Sequence, residues 1–97
     1  MTFVTILTVE LLIFESASLK EKRAVVRQVI QRTRNRFPVA ASEVDNQNDP
    51  SRATLAFAAI ASDSQISHAT AQKALAFIED LRLDCQVGEV GTETIAL

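Results

Sequence analysis

The chain has 97 residues, of which 47% are hydrophobic and 23% charged, and its formal net charge at pH 7 is −2. Length and composition fit a single domain, residues 1–97, with an ordinary globular core, and the slightly acidic net charge argues against indiscriminate nucleic-acid binding. The lone cysteine, Cys85, excludes an intramolecular disulfide. The single cysteine and the absence of a leader-like pattern at the N-terminus together favour a cytosolic protein. The apolar stretch Thr2–Phe14 is too short to span a bilayer, so no membrane partner is expected.

The N-terminal part of the chain predicts a strand followed by a helix. Phe3–Phe14 is rich in β-branched residues and phenylalanine and is apolar on both faces, which is typical of a buried strand. After a short loop at Glu15–Ser18, Ser18 and Glu21 have the spacing of a capping box, so a helix should begin at Leu19. The helix should bury one face of period 3.6. Its expected members are Leu19, Val25, Val26, Val29, Ile30, Thr33 and Phe37.

The rest of the chain predicts three strands and a second helix. Pro38 ends the first helix, because the residue before a proline disfavours helical geometry. The second and third strands are predicted at Val39–Val44 and Arg52–Ser62, on either side of the turn Asp45–Ser51. Asp63 or Ser64 can cap a second helix that reaches about Leu81. Asp84–Leu97 follows as a fourth strand, weakened or bulged at its two glycines. The inward face of the second helix is expected to contain Ile66, Thr70, Ala74, Phe77, Ile78 and Leu81.

The order β-α-β-β-α-β predicts an α+β ferredoxin-like sandwich. With right-handed crossovers, four antiparallel strands carry two helices on one face of the sheet. The other face then keeps apolar side chains from the first and third strands. Because exposed apolar patches usually mark interfaces, we expect a homo-oligomer formed through the open sheet face or a sheet edge.

The predicted first helix carries most of the positive charge of the chain. Leu19–Arg36 contains seven of the ten basic residues and one acidic residue, a net charge of +6, which leaves −8 for the rest. Cations near the end of a helix offset its dipole, but Lys20, Lys22 and Arg23 lie near its start. There each cation costs about 0.3–1 kcal/mol at low salt. Helix stability therefore does not explain the early cations.

Angular position separates these cations. At about 100° per residue, one narrow stripe beside the buried face should be exposed to solvent. This basic stripe consists of Lys20, Arg23, Arg27 and Arg34. Arg32 and Arg36 fall on the other flank, and Lys22 points near the core edge, where its ammonium should reach water along its aliphatic stem. The basic stripe suits a phosphate backbone or an acidic protein surface, whereas a purely solvated charged face is the alternative.

Other candidate residues carry weaker signals. His68 is the only histidine and has no paired cysteine, so a surface position is expected rather than a metal site. Cys85 should be a small buried hydrophobe without a base to activate it. Glu43, Asp45 and Asp49 surround the turn, but their spacing fits no known calcium loop. No cofactor or metal is predicted.

Two functions found on this fold class do not fit the residues. An RNA-recognition motif stacks bases on sheet aromatics, but here Phe57 is the one aromatic residue of the third strand. An acylphosphatase-type enzyme needs a glycine-rich anion loop where this chain has Glu15–Ser18. No nucleophile, base and anion hole come together, so the chain is not expected to be an enzyme.

Three short motifs are distinctive together: SLKEKR at Ser18–Arg23, NRF followed by Val39 at Asn35–Val39, and Glu43-Val44. With these motifs the chain resembles, over nearly its whole length, the YlxP-like proteins, a bacterial family of unknown function. The resemblance implies the ferredoxin-like fold. It also implies work at the ribosome or on RNA, since members are commonly encoded beside translation and transcription factors and have been compared with ribosome-binding factor A. The turn departs from the family, because Asn46–Pro50 lacks the aromatic residue often present there.

These observations give two hypotheses of different classes. The first is a non-enzymatic accessory protein that binds ribosomal RNA, a ribosomal protein or a ribonucleoprotein through the basic stripe. The second is an oligomeric protein-interaction or small-ligand regulatory module that uses the open sheet face. In the second hypothesis the basic stripe pairs with acidic groups of a neighbouring subunit, so the oligomer should be sensitive to salt.

Overall fold

The computed structural model describes residues 1–14 and 18–97 and has the ferredoxin-like architecture that the sequence predicts. The elements are β1 (Phe3–Ile13), α1 (Leu19–Arg36), β2 (Val39–Asp45), β3 (Arg52–Ala61), α2 (Ser64–Glu79) and β4 (Cys85–Ala96). The strands form an antiparallel sheet in the order β2-β3-β1-β4, which carries the two helices on one face. The loop predicted at Glu15–Ser18 lies outside the described residues except for Ser18.

The core lies between the sheet and the helices. In β1 and β3 alternate residues point toward the helices, and paired positions such as Leu7 with Phe57 and Val9 with Leu55 are almost completely buried. The alanine-rich β3 is a strand because its alternate side chains fill this layer. The opposite side chains of the same two strands form the open sheet face.

The first helix begins and ends close to the predicted residues. The Ser18 hydroxyl accepts a hydrogen bond from the Glu21 backbone N–H at 3.1 Å, which is half of the predicted capping box. The other half differs, because Ser18 Oγ donates to Glu21 Oε1 at 3.3 Å. Val26, Val29 and Thr33 are buried as expected.

The second helix buries Ala74 and Ile78 as predicted, but its first turn differs from the prediction. Asp63 caps it, but Ile66 is 57% exposed and Ser67 and Ala71 are buried instead. The buried Ser67 hydroxyl lies 2.8 Å from Thr5 Oγ1, which also contacts Thr94 Oγ1 at 2.9 Å. The expectation that Ile66 faces inward was therefore wrong, because this hydroxyl network and small side chains face the sheet instead.

The fourth strand has one irregularity. Pairing with β1 shifts between Val9 and Leu11, so that Gly88 and Glu89 both lie opposite Glu10. The bulge predicted at Gly88 is present, and a side chain there would collide with the Glu10 carboxylate. Gly91 pairs regularly with Thr8.

Candidate functional site

A groove of about 650 Å³ runs between α1 and the edge strand β2. Val26 and Ile30 of α1 give it an apolar floor, because the helix turns these side chains toward the sheet. The remaining lining side chains are polar or charged. They are Arg23, Arg27, Gln31, Arg34, Asn35 and Glu43.

Three of the four residues of the basic stripe line this groove. Arg23, Arg27 and Arg34 are exposed and lie along the side of α1 that borders β2. Lys20 is exposed as well, but it lies before the groove and does not line it. In the part of the chain that the structure describes, the ion pairs involve none of these four residues. Their charges are therefore directed toward solvent.

Lys22 lies in a different environment from the basic stripe. Its side chain is completely buried, and its ammonium lies 2.8 Å from Glu43 Oε2. It also donates to the backbone carbonyls of Asn46 at 2.7 Å and Gln47 at 3.2 Å. The expectation that this ammonium reaches water was wrong, because the carboxylate and two carbonyls replace its hydration inside the protein. Lys22, Glu43, Asn46 and Gln47 are called the lysine anchor below.

The lysine anchor determines the charge of the groove. Glu43 is the one carboxylate among its described lining residues, and its buried Oε2 faces the Lys22 ammonium. Since Lys22 neutralises this carboxylate from below, the three guanidinium groups keep their full positive charge. The groove can therefore bind an anion, such as a phosphate chain.

The β2–β3 turn is held by its own polar side chains. Asn46 has a positive φ of 61°, which asparagine tolerates better than most residues. Its Nδ2 donates to Thr54 Oγ1 at 2.8 Å, and its Oδ1 accepts from Arg52 at 3.1 Å. Asp49 accepts from the Ser51 hydroxyl and backbone N–H, and these bonds lower the pKa of its carboxyl group. The carboxylates of the turn thus serve its conformation, and within residues 1–14 and 18–97 no cluster suits a metal ion.

Part of the open sheet face is apolar and shallow, although the same face also carries the ion pair between Glu10 and Arg52. Ile6, Ala40, Ala56 and Ala58 border a depression of about 260 Å³, and Ile60 beside it is 68% exposed. Phe57 lies on the opposite, helix-covered face and is 1% exposed. The ring is therefore unavailable for base stacking on the open face.

The remaining candidates do not form sites. His68 is exposed. Cys85 is partly buried, and burial together with the Asp84 charge raises the pKa of its thiol, so the reactive thiolate is disfavoured. None of the helices within the described ranges is long and apolar enough to cross a membrane.

Sequence reasoning missed the buried position of Lys22, although a signal was present. Lys22, Val26, Val29 and Thr33 have the spacing of one helical face, and Glu43 is itself one of the alternate, inward positions of β2. An inward lysine and an inward glutamate on neighbouring elements indicate a buried pair. Charge alone led to the wrong assignment.

Comparison with known proteins gives two findings. A family model described as "Protein of unknown function (DUF503)" matches residues 4–91. "Uncharacterized protein YlxP" of Bacillus subtilis (strain 168) is 37% identical over 70 residues, which cover 72% of this chain and 76% of that protein. The resemblance to YlxP-like proteins is confirmed, and neither description states an activity.

Proposed function

We propose a function from the residues that line the groove, because the family to which the chain belongs, DUF503, is one of unknown function and suggests none. In this proposal the protein is a non-enzymatic accessory factor that binds ribosomal RNA, free or within a ribonucleoprotein. Arg23, Arg27 and Arg34 contact phosphates from the groove, and Lys20 extends the same surface. One observation carries the proposal: three guanidinium groups without a described acidic partner converge on one groove.

The distribution of charge supports this proposal. The helix has a net charge of +6 in a chain whose total charge is −2. A polyanion is therefore attracted to α1 and repelled by the acidic remainder of the protein, which restricts how it docks. Guanidinium groups also bind phosphate oxygens with two parallel hydrogen bonds, so arginines give orientation as well as attraction.

Salt dependence of binding to a ribosomal RNA fragment tests the proposal. Affinity should fall steeply as salt rises, because each phosphate contact releases condensed counterions. Replacing Arg23 and Arg27 together with alanine should reduce the slope of log K against log salt by about 1.4 on single-stranded RNA. Lys73→Ala, an exposed change on α2, is the control and should leave the slope unchanged. Absence of binding at low salt would contradict the proposal.

Self-association through the open sheet face is the second candidate. The observation that favours it is the uncovered apolar strip formed by Ile6, Ala56, Ala58 and Ile60. Four strands about 4.8 Å apart, with a mean length of about ten residues at about 3.3 Å each, give this face roughly 600 Å². This area is of the same order as the ~800 Å² that each partner buries in a standard interface.

Light scattering with and without high salt tests the second candidate. Ile60→Lys should shift the mass toward that of one chain, because a charge would be buried in the contact. Asp63→Asn, at an exposed position outside the face, controls for the change of charge. An oligomer that dissociates in salt would assign the basic stripe to contacts between subunits. A mass of one chain at all concentrations would remove this candidate.

A further inference from the structure

We infer that the far end of α1 holds a base-stacking subsite for single-stranded RNA, in which a nucleobase lies on the Arg36 guanidinium. This inference rests on the proposed RNA binding and adds the class of RNA that is recognised. It assigns a role to Arg36 and Phe77, which lie outside the groove described above.

The subsite is a second cavity, of about 330 Å³, between the last turns of α1 and α2. Phe77 of α2 forms one wall and is half-buried. Its ring packs edge-on against Phe37, with centroids 5.6 Å apart and an angle of 73° between the planes. The ring is therefore fixed on one side by the protein. The lining residues are Arg32, Asn35, Arg36, Phe77 and Leu81.

Arg36 lies over the ring of Phe77. Its Cζ atom is 5.7 Å from the ring centroid, which is the distance of a cation–π contact. This contact orders a planar group that would otherwise sample many rotamers, so less entropy is lost when a ligand binds. If Arg36 served only to offset the helix dipole, its guanidinium would not need to lie on an aromatic ring.

A guanidinium held on an aromatic ring can stack a base on its outer side. Proteins that read single-stranded RNA stack unpaired bases on aromatic rings or arginine planes. The described ion pairs include neither Arg32 nor Arg36, so both cations remain available to the phosphates beside that base. Stacking on the sheet at the position of Phe57 is impossible, because that ring is covered by the helices.

Asn35 connects this subsite to the groove. Asn35 lines both cavities, which lie on opposite flanks of α1. Because a helix is about 10–12 Å across with its side chains, an RNA strand that crosses the last turns at Asn35 reaches both sites within a few nucleotides. Duplex RNA keeps its bases stacked within the helix and cannot place one on Arg36.

Competition binding with three RNA probes tests the subsite. The probes are a short single-stranded oligoribonucleotide, the same strand with abasic sugars, and a duplex of the same length. Wild-type protein should bind the base-containing strand about 5- to 150-fold more tightly than the abasic strand, the range that one stacked base supplies. It should also favour that strand over the duplex.

Two variants locate the effect. Arg36→Lys keeps the charge but removes the planar group. It should lose the preference for bases and leave both the salt slope and abasic binding unchanged. Phe77→Leu should act in the same direction, since it removes the ring beneath the guanidinium. Arg82→Lys, an exposed arginine outside both cavities, is the control and should behave as wild type.

The outcomes separate this inference from the function on which it rests. Equal binding of base-containing and abasic strands by the wild type, or an Arg36→Lys variant with the full preference for bases, overturns the subsite while RNA binding stands. Failure of the wild type to bind any of the three probes at low salt overturns both.

Discussion

Lys22 and Arg23 are neighbours in the chain but belong to two regions with opposite roles. Lys22 lies in the lysine anchor, completely buried and bound to Glu43 and the turn. Arg23 is exposed and lines the groove without a described acidic partner. A step of about 100° around the helix axis separates them. One region uses positive charge to hold the fold together, whereas the other directs it toward solvent.

This difference shows how a basic run should be divided before a binding role is assigned to it. A buried ammonium requires partners, so its neighbours identify it as part of the fold. An exposed guanidinium without a partner contributes little to stability and remains available for a ligand. The seven cations of α1 therefore contain one anchor and six surface charges.

Removing the anchor should have the largest effect on stability. Lys22→Met preserves the bulk of the side chain but leaves the Glu43 carboxylate and two turn carbonyls without their donor. Breaking a buried pair by removing one partner destabilises by about 3–5 kcal/mol. We expect about 3 kcal/mol, because Glu43 is still 18% exposed. Urea denaturation measures the loss.

Two further variants sharpen the comparison between the lysine anchor and the exposed cations. Lys20→Met, an exposed change one turn away from the groove, should alter stability by less than about 0.5 kcal/mol. Adding Glu43→Leu to Lys22→Met should recover part of the loss, because replacing both partners of a buried pair is often nearly neutral. Equal losses for Lys22→Met and Lys20→Met would contradict the division between anchor and surface.

Changing the turn should have the next largest effect. Asn46→Ala places at a φ of 61° a residue that tolerates this region less well than asparagine, and it removes the contact with Thr54. We expect a loss of about 1–2 kcal/mol in the free energy of unfolding. Asn46→Gly accepts the same φ and should lose less. If alanine and glycine are equally tolerated, the backbone of the turn carries no strain.

Removing groove charges should have a small effect on stability. Arg23→Ala and Arg27→Ala remove exposed side chains whose charges have no described acidic partner. Each should change the free energy of unfolding by less than about 0.5 kcal/mol. Arg23→Ala should change it in the stabilising direction, since a cation near the helix start opposes the dipole. A loss of several kcal/mol would show that the groove is a structural feature.

Acidification should reveal the smallest effect, at Asp49. Hydrogen bonds from the Ser51 hydroxyl and backbone N–H hold the pKa of this carboxyl group below its ordinary value. The stabilisation is present above the pKa of the unfolded chain and is lost as the pH falls through the lower pKa of the folded state. The urea midpoint of the wild type should therefore decrease more in acid than that of Asp49→Asn. Parallel decreases would contradict this contribution.

The sequence predicted the fold well because its signals were local or periodic. Ser18 and Pro38 correctly placed both ends of α1. The β-branched composition of β1 and the turn before β3 predicted strands within a residue or two of their observed bounds. For α2 the apolar pattern predicted the wrong inward residue, Ile66, because a hydrogen bond between Ser67 and Thr5 lies on the buried face. A hydrogen bond between two small hydroxyl side chains of distant segments leaves no apolar signal in either segment.

The candidate site was only partly predictable for the same reason. The basic stripe follows from the angles of one helix, and three of its four members line one groove. The cavity between Arg36 and Phe77 depends on the packing of α1 against α2, whose residues lie far apart in the chain. No pattern in either helix alone indicates that contact.

The sequence by itself determined the ferredoxin-like order of elements and the concentration of positive charge on one helix. Both follow from local caps, periodicity and composition. Only the tertiary structure decided which cations are free, because that depends on what each side chain meets across the fold. Lys22 meets Glu43 and a turn more than twenty residues away, and Arg36 meets Phe77. Arg23, Arg27 and Arg34 meet solvent along a groove.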